Sequence, residues 1–433
     1  MRAAAGLRRS RSRFAILALV TGATTLNYLD RAVMSVAAKP LTEELGISAA
    51  LMGLIFSAFS WTYAAAQIPG GLVLDRIGTR VTYACSLVIW SLFTFLHGFA
   101  GSIGVLVGLR MGLGVAEAPC YPCNSRILST WFPQRERARA TGVYSVGQYV
   151  GLALLTPVLF WIAARFGWRA LFLIVGAIGI VYGVVWYLLY RDPGRHPGLN
   201  AAEREHIAAG GGLEAQTSTT FSWAIMVRLL AKRQILGASL GQFANNSTLV
   251  FLITWLPTYL ATERHMDFVK SGFYLALPYI SASIGVLVGG TISDWLVERT
   301  GSATIGRKAP IIAGLVLISP LVLAGSVQDN RVLIAVMSVA AFGQGICNLG
   351  WTLISEVAPK AQIGLTGGIF NLFANLAGIV TPLVIGLVVQ ATGSFGGALA
   401  YVGIIALLGA CCYLFIVGGI RRLDPIKDGE LAG

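Results

Sequence analysis

The chain has 433 residues, of which 56% are hydrophobic and 12% are charged, and its formal net charge is +13 at pH 7. Because soluble domains carry about 25% charged residues, this composition excludes an ordinary globular enzyme. Apolar runs of about 20 residues recur along the chain, and each is long enough to cross a bilayer as a helix. The alternating pattern of a barrel strand is absent, so the sequence predicts an all-α membrane protein.

The apolar runs predict twelve transmembrane helices in two pseudo-symmetric six-helix bundles. The predicted helices span 14–38, 51–73, 81–99, 101–123, 140–164, 168–190, 234–260, 270–295, 308–327, 332–356, 363–390 and 397–419. The pattern Gly-x-x-x-Asp lies at the cytoplasmic end of both the second and the eighth helix, ending at Asp75 and Asp294. The expected parts are an N-terminal tail (1–13), an N-terminal bundle (14–190), a central loop (191–233), a C-terminal bundle (234–419) and a C-terminal tail (420–433).

The basic residues lie mostly on one side of this arrangement. If the N-terminus is cytoplasmic, 24 of the 32 Lys and Arg residues fall in cytoplasmic loops and tails, and 6 fall on the opposite side. Basic loops stay in the cytoplasm, so we expect a multi-pass protein of the cell inner membrane with both termini cytoplasmic. The positive charge then faces the anionic inner leaflet, and no basic groove is left for nucleic acid.

The sequence predicts neither a metal site nor a cofactor. Cys120-Tyr-Pro-Cys123 has the spacing of a redox motif, but it has no second pair and no nearby His, so apolar packing is the expected role. The four His residues are scattered near helix ends and in loops. Gly142-x-x-x-x-Gly147 lacks the downstream Lys-Ser/Thr of a nucleotide-binding loop.

The central loop contains one predicted short helix, over residues 201–209. It carries four consecutive titratable residues, which are Glu203, Arg204, Glu205 and His206. We expect a surface helix whose charged side chains are solvated.

Only four charges lie deep in the predicted helices: Asp30 and Arg31 in the first, and Arg110 and Glu117 in the fourth. A charge at the centre of a membrane helix costs about 2.5–3.5 kcal/mol on insertion scales. Arg110 and Glu117 are seven residues apart, so they share one helix face at a separation of about 10 Å. The four charges sum to zero, which favours pairing between the two helices.

Two interpretations of these charges stay open. In the structural one, a buried ion-pair network fixes helix packing, although buried pairs stabilise poorly compared with apolar residues. In the functional one, an anionic substrate captures an arginine, and a released carboxylate then takes up a proton. Arg31 is a candidate for bidentate recognition of a carboxylate, and Asp30 and Glu117 are candidates for proton coupling.

Other polar side chains within the predicted helices are candidates for substrate contact or for hydrogen bonds between helices. They are Tyr28, Tyr63, Gln67, Gln148, Gln242, Asn245, Asn246, Gln344, Asn348, Ser355, Asn371 and Asn375, with Trp351 nearby. Asp75 follows the second helix, in a loop with Arg76 and Arg80. Its carboxylate can bond to a neighbouring helix N-terminus, so this loop is interpreted as a gate latch and not as a substrate site.

Several motifs resemble those of a known family. Gly71…Asp75-Arg76-x-Gly78-x-Arg80 and Arg110-x-x-x-Gly114 resemble signatures of the major facilitator superfamily. More specific motifs are Asn27-Tyr-Leu-Asp-Arg31, Phe56-Ser-Ala-Phe-Ser-Trp-Thr-Tyr63, Gln67-Ile-Pro-Gly-Gly71, Glu117-Ala-Pro, Trp131-Phe-Pro-x-x-Glu136-Arg137 and Gly364-Leu-Thr-Gly-Gly-Ile-Phe-Asn371. Together they resemble the anion:cation symporter family, and within it the bacterial sugar-acid proton symporters of the D-galactonate, glucarate/galactarate and hexuronate types. The resemblance covers nearly the whole chain.

The resemblance implies roles for the matching positions. Asp30 and Glu117 correspond to the proton-carrying carboxylates, Arg31 to the group that meets the substrate carboxylate, and Arg110 to an arginine that pairs with acids during transport. The implied lining of the sugar-acid site consists of Tyr28, Tyr63, Gln148, Gln242, Asn348, Trp351 and Asn371. Relatives often have a hydroxyl residue where this chain has Gly350, which leaves the choice of sugar acid open.

The sequence therefore predicts a proton-coupled transporter that imports a sugar-acid anion (an aldarate, aldonate or hexuronate) by alternating access, as a monomer in the lipid bilayer. One alternative keeps the fold and makes the protein an organic-anion exchanger or uniporter. Another is a membrane-embedded enzyme, which would need a nucleophile, a metal cluster or a His–acid pair at one membrane face. A labelled sugar acid that accumulates unchanged in vesicles distinguishes transport from enzymatic conversion.

Overall fold

The computed structural model describes residues 10–212, 223–359 and 362–425. These residues form helices and no strand, which confirms the predicted all-α fold. The helices are α1 (Ser12–Leu45), α2 (Ala49–Ile77), α3 (Thr79–His97), α4 (Ile103–Glu117), α5 (Cys120–Trp131), α6 (Gln134–Leu189), α7 (Ala201–Ala209), α8 (Trp223–Leu230), α9 (Arg233–Thr254), α10 (Leu256–Thr262), α11 (Phe268–Thr300), α12 (Ala303–Ile318), α13 (Leu321–Ala324), α14 (Asn330–Ile346), α15 (Gly350–Val357), α16 (Ile363–Thr392) and α17 (Gly396–Cys411). Residues 1–9 and 426–433 of the predicted tails, and 213–222 of the predicted central loop, lie outside the described residues.

Many of these helices have the length and composition of membrane spans. Within the described ranges, nine helical stretches are long and apolar enough to cross a bilayer. One of them, the 56-residue α6, contains two of the predicted spans and leaves helical geometry at Gly167, where φ is 83°. Glycine adopts this backbone conformation without the steric penalty of a Cβ atom. These spans are consistent with the predicted bundle of twelve helices.

The predicted helix 101–123 is divided into α4 and α5. α4 ends at Glu117 and α5 begins at Cys120, with Pro119 between them. Because proline has no backbone N–H and its ring crowds the preceding turn, it interrupts the hydrogen-bond ladder of a helix. The interruption places Glu117 at the last residue of α4, one turn before Tyr121 of α5.

Contacts within the chain divide it into two compact units. The first unit consists of Met1–Ala37 and Trp61–Thr217, and the second of Ala38–Ser60 and Ser218–Gly433. In the second unit, the segment 38–60 packs on α16, because a Cβ atom at Gly53 would lie 2.5 Å from the Pro382 carbonyl oxygen, and on Trp255, which directly follows α9. For example, the Phe56 ring meets the Trp255 ring edge-on at a centroid distance of 5.2 Å.

Small residues let α3 and α6 approach closely in the first unit. A Cβ atom at Gly176 of α6 would overlap the backbone of Phe95, and one at Gly179 would meet the Ser91 hydroxyl. Close approach through glycine is typical of membrane helix pairs. Further along the same pair, Trp186 stacks on Tyr83 with ring centroids 4.2 Å apart. α3 is therefore fixed against α6 along most of its length.

The predicted central-loop helix exists as α7, but the prediction that all its charges are solvated was wrong. Arg204 and Glu205 are exposed, whereas Glu203 is fully buried. Its Oε2 accepts hydrogen bonds from the Ser10 hydroxyl at 2.5 Å and from the Ser12 N–H at 3.1 Å. α7 is thus docked on the start of α1, and its carboxylate caps that helix as an N-cap side chain does.

Arginine and histidine complete this arrangement. Arg13 donates from Nη1 to Glu203 Oε1 at 2.8 Å and from Nε to Glu136 Oε2 at 3.1 Å. His206 Nε2 lies 2.9 Å from Glu136 Oε1. We call Ser10, Ser12, Arg13, Glu136, Glu203 and His206 the Glu203 cluster. It joins α1, α6 and α7 at one end of the first unit.

Candidate functional site

The four deep charges predicted from the sequence all lie in the first unit, and three of them are almost fully buried. Asp30 and Arg110 are each 3% exposed and Glu117 is 0% exposed. Arg31 forms an ion pair with Glu117 in which both Nη2 and Nε donate to the carboxylate oxygen Oε1, the Nε contact being 3.2 Å long. This pair joins α1 to the end of α4, as the pairing argument predicted for these two helices.

The Arg31 guanidinium lies between two predicted site residues, Tyr28 and Tyr63. Its Cζ is 5.3 Å from the ring centroid of each tyrosine, a distance at which a cation is attracted to an aromatic ring. The Arg31 side chain retains 23% exposure. The arginine is therefore oriented by two rings and a carboxylate and is still accessible on one side.

Tyr121 is a third tyrosine of this cluster and was not predicted as a site residue. Its hydroxyl donates to the Tyr28 hydroxyl at 3.2 Å. The sequence offered one signal for it: Tyr121 lies four residues after Glu117, so an uninterrupted helix places both on one face. We call Arg31, Glu117, Tyr28, Tyr63 and Tyr121 the Arg31 cluster.

Asp30 lies next to the Arg31 cluster but is held by a different helix. The Trp90 indole N–H of α3 donates to Asp30 Oδ2 at 2.7 Å, and Trp90 is fully buried. Thr94, one turn further along α3, is close enough for its hydroxyl to act on the Asp30 carboxyl, although no direct hydrogen bond joins the two side chains. Trp90 was not predicted as a site residue, because a tryptophan in an apolar run usually indicates packing.

Arg110 lies within the electric field of Asp30 and Glu117. Arg110 is 3% exposed, and together with Arg31 it gives each buried carboxylate a cation nearby. This arrangement offsets part of the cost of removing four charges from water.

Gln148 of α6, another predicted site residue, is 6% exposed. α6 packs against α1 at this level, because the Thr25 hydroxyl donates to the Gly147 carbonyl at 3.2 Å. Gln148 therefore directly follows Gly147, which contacts Thr25 of α1. Thr25 lies about one helical turn before Tyr28.

The predicted gating residues form a separate group at the end of α2. Asp75 makes an ion pair with Arg126 of α5, which also donates to the Leu74 carbonyl at 3.1 Å. The Asp75 carboxylate thus meets an arginine side chain and not a helix N-terminus. Arg80 donates from Nε and Nη2 to the Tyr187 carbonyl at 2.9 and 2.7 Å, and Arg76 is exposed.

The remaining predicted site residues belong to the second unit, and several of them meet near Gly350. A Cβ atom at Gly350 would lie 2.9 Å from Phe370 Cζ and 3.4 Å from Gln242 Oε1. Trp351 meets the Phe370 ring edge-on at 4.9 Å and is 41% exposed. α9, α15 and α16 therefore bring an amide, an indole and a phenyl ring together around a residue that has no side chain.

Asn348 and Asn371 lie beside this group in the chain. Asn348 is in the 3-10 turn Cys347–Leu349 that separates α14 from α15. Asn371 is half-buried on α16, directly after Phe370, and its carbonyl accepts a hydrogen bond from Asn375 Nδ2 at 3.0 Å. Unlike the Arg31 cluster, this group presents uncharged hydrogen-bonding and aromatic side chains.

The chemistry available in the described residues is recognition and proton binding. In those ranges, no group of three or more His, Cys, Asp and Glu side chains is arranged to hold a metal ion. Arg31 presents a fork of N–H donors that matches a carboxylate. Asp30 and Glu117 are buried carboxyl groups, and loss of a neighbouring cation raises the proton affinity of a buried carboxylate.

Comparison with known proteins gives the family. The model of the Major Facilitator Superfamily matches residues 20–303. The chain is 41% identical over 431 residues to the probable galactarate/D-glucarate transporter GudP of Escherichia coli (strain K12), covering 96% of each chain. It is also 41% identical over 423 residues to the D-galactonate transporter of Escherichia coli O6:H1 (strain CFT073), covering 95% of this chain and 97% of that one.

Solved structures share the fold at low sequence identity. A bacterial homologue of the human lysosomal transporter Spinster, in an inward-facing and occupied conformation, matches with a TM-score of 0.73 and 21% identity. The match covers 97% of this chain and 100% of that one. The family match and the identities of 41% show that the chain belongs to the major facilitator superfamily, as a multi-pass membrane transporter and not an enzyme.

Proposed function

We propose that the protein is a proton-coupled symporter that imports a sugar-acid anion by alternating access. The observation that carries this proposal is the ion pair of Arg31 with Glu117, placed between two tyrosine rings and beside Asp30. It combines an anion-binding group and proton-binding groups in one cluster of the first unit.

The geometry of the Arg31 cluster supports a competition between the substrate and Glu117. A substrate carboxylate approaches the exposed side of the Arg31 guanidinium and takes over its N–H donors. Both donors now bind Oε1 of Glu117, so a bidentate substrate carboxylate displaces this acid. Tyr28 and Tyr63 keep the guanidinium plane in place during the exchange.

Displacement of Glu117 provides the coupling to protons. A fully buried carboxylate that loses one arginine partner keeps less compensation for its charge, so its affinity for a proton rises. Asp30, which is also buried, serves as a second proton-binding group beside Arg110. Anion binding and proton uptake then stabilise each other, which is the thermodynamic requirement for symport.

The substrate class follows from the relatives and from the second unit. Two relatives with 41% identity are named as transporters of galactarate/D-glucarate and of D-galactonate. Gln242, Asn348, Trp351 and Asn371 supply amides and an indole, which match hydroxyl groups along a sugar-acid chain. We therefore assign an aldarate or aldonate as the substrate, with a hexuronate as the other member of the class.

The proposal includes a location and an orientation. The excess of Lys and Arg in alternate loops supports the cell inner membrane with both termini in the cytoplasm. The protein works as a monomer, and Asp75, Arg76 and Arg80 act as a latch at the cytoplasmic ends of the helices.

The decisive experiment uses proteoliposomes with an imposed inward proton gradient. Galactarate, glucarate, galactonate and glucuronate are added in turn, and the internal pH is followed. We expect proton influx to be triggered by at least one of them, which names the substrate at the same time. If none triggers influx while one shows normal counterflow, the protein is an exchanger or a uniporter.

A further inference from the structure

His97 is a buried titratable residue that the transport proposal does not use. It is the last residue of α3, it is 1% exposed, and its ring stacks on Phe172 of α6 at a centroid distance of 5.2 Å. The turn that follows reaches the surface, because Phe99 is 67% exposed. His97 thus lies within the packed first unit, a few residues from one membrane face.

The hydrogen bonds of His97 determine its tautomer. Nδ1 lies 2.6 Å from the Phe93 carbonyl oxygen, and a carbonyl only accepts, so Nδ1 carries the hydrogen. In the neutral ring the lone pair is then on Nε2. Nε2 is buried and has no hydrogen-bond partner among the described residues. A phenylalanine would fill the same space without leaving a buried acceptor unpaired, which costs about 1–3 kcal/mol.

A row of polar groups on α3 leads from His97 to Asp30. Trp90, Thr94 and His97 are spaced by four and three residues, so they lie on one helix face. They are 0%, 1% and 1% exposed. Trp90 donates to Asp30 at 2.7 Å, and Thr94 lies beside the same carboxyl. From His97 to the level of Trp90 the rise along the helix is about 10 Å.

We propose that His97 and Thr94 form the proton entry route from the outer membrane face to Asp30. Under the proposed orientation, the end of α3 faces the periplasm. His97 Nε2 takes a proton from water at the α3–α4 turn and becomes an imidazolium. It then releases the same proton through water beside the Thr94 hydroxyl to the Asp30 carboxylate, which restores the neutral ring. No bond other than N–H and O–H forms or breaks.

The charged groups around His97 favour transfer of the proton through this residue over stable binding of the proton on its ring. Arg110 of α4 acts on the ring through its positive charge, which repels a protonated imidazole. α6 contributes the aromatic side chains of Phe172 and Trp168 at this position. Asp30, in contrast, is a carboxylate held by Trp90. The proton therefore passes His97 and rests on Asp30.

The test compares two modes of transport in proteoliposomes, using the substrate that triggers proton influx in the wild type. His97→Phe keeps the stack on Phe172 and removes the lone pair. We expect proton-driven uptake to fall by about tenfold or more, whereas counterflow exchange, which needs no net proton movement, stays within about twofold. Thr94→Val should slow proton-driven uptake less, because it removes only the hydroxyl.

Two further variants keep the result interpretable. His97→Gln retains a polar group that cannot carry a proton, so it should be as slow as His97→Phe even if the phenylalanine variant fails to fold. Ser91→Ala removes another buried hydroxyl of α3, one that faces Gly179 of α6, and both transport modes should be unchanged. A wild type without substrate-triggered proton influx contradicts the proposed function itself. With normal wild-type influx, the entry route is overturned if the His97 variants keep full proton-driven uptake or lose counterflow to the same extent.

Discussion

Glu203 and Glu117 are both fully buried carboxylates paired with an arginine in the first unit, yet they are held in different ways. Glu203 uses both oxygens and accepts from the Ser10 and Arg13 side chains and from the backbone N–H groups of Ser12 and Arg13. Glu117 accepts from Arg31 on Oε1. Its Oε2 is buried and accepts no hydrogen bond from the residues that the structure describes.

Arg13 and Arg31, the arginines that pair with Glu203 and Glu117, also differ in exposure. The Arg13 side chain is 9% exposed and bonds the carboxylates of Glu203 and Glu136, whereas the Arg31 side chain, which bonds Glu117, is 23% exposed. A fully satisfied buried network holds one geometry, while a partly satisfied one can exchange partners at lower cost. We infer that the Glu203 cluster fixes structure and that the Arg31 cluster changes state during transport.

The largest expected effect comes from replacing Asp30, the proposed proton-binding carboxyl group next to the Arg31 cluster. Asp30→Asn keeps the shape and the Trp90 contact but cannot ionise. Accumulation of sugar acid against its gradient should be abolished, and counterflow should persist. Asp192→Asn, which alters a loop carboxylate bonded by Tyr190, is the control and should accumulate normally. Normal accumulation by Asp30→Asn would remove this carboxyl from coupling.

Arg31→Lys is expected to weaken substrate binding by about tenfold or more, because a hydrogen bond to a charged group contributes about 1.5–3 kcal/mol and an ammonium cannot reproduce the fork. Binding is measured by titration of detergent-solubilised protein. Arg126→Lys tests the same substitution at an arginine that pairs with Asp75, and its affinity should match the wild type. An unchanged affinity in Arg31→Lys would place the substrate carboxylate elsewhere.

Arg13→Met tests the satisfied cluster. It leaves Glu203 buried with its cation removed, which we expect to destabilise the first unit by about 3 kcal/mol. Thermal unfolding should show a Tm several degrees lower, while transport per folded molecule remains. Arg11→Met, at an exposed arginine two residues earlier, is the matched control with no expected change in Tm. Equal Tm values for both variants would show that the Glu203 cluster does not hold α7 in place.

The smallest effect on stability is expected for the exposed pair of Asp75 and Arg126, whose side chains are 41% and 25% exposed. Exposed ion pairs contribute about 0–1 kcal/mol, so Asp75→Asn should leave Tm nearly unchanged. As a latch, however, this pair should affect turnover, so Asp75→Asn should slow transport without a change in substrate affinity. An unaltered transport rate would argue against the latch.

The sequence alone was sufficient to find the four deep charges that the structure brings together in the first unit. Asp30, Arg31, Arg110 and Glu117 are charges within apolar runs, and that conflict requires no structure to detect. The all-α fold followed from the same runs, since a bilayer leaves few other solutions. The family followed from the motifs, and the family match confirmed it.

The residues that the sequence missed depend on contacts between distant segments. In the sequence, Glu203 is followed by charged residues that are typical of a solvated helix. Its partners Ser10 and Arg13 are about 190 positions away in the chain. Trp90 and Tyr121 are aromatic residues in apolar segments, where packing is the usual role. Helix periodicity also did not separate α4 from α5, because Pro119 interrupts an otherwise continuous apolar pattern.

The most direct test of the difference between the two buried carboxylates is to measure Tm and gradient-driven uptake for Glu117→Gln and Glu203→Gln side by side. We predict opposite patterns: Glu117→Gln loses uphill uptake with little loss of Tm, and Glu203→Gln loses Tm but keeps uphill uptake per folded molecule. If Glu117→Gln still concentrates the substrate, or if both variants lose stability and transport together, the two clusters do not divide into a transporting site and a structural one.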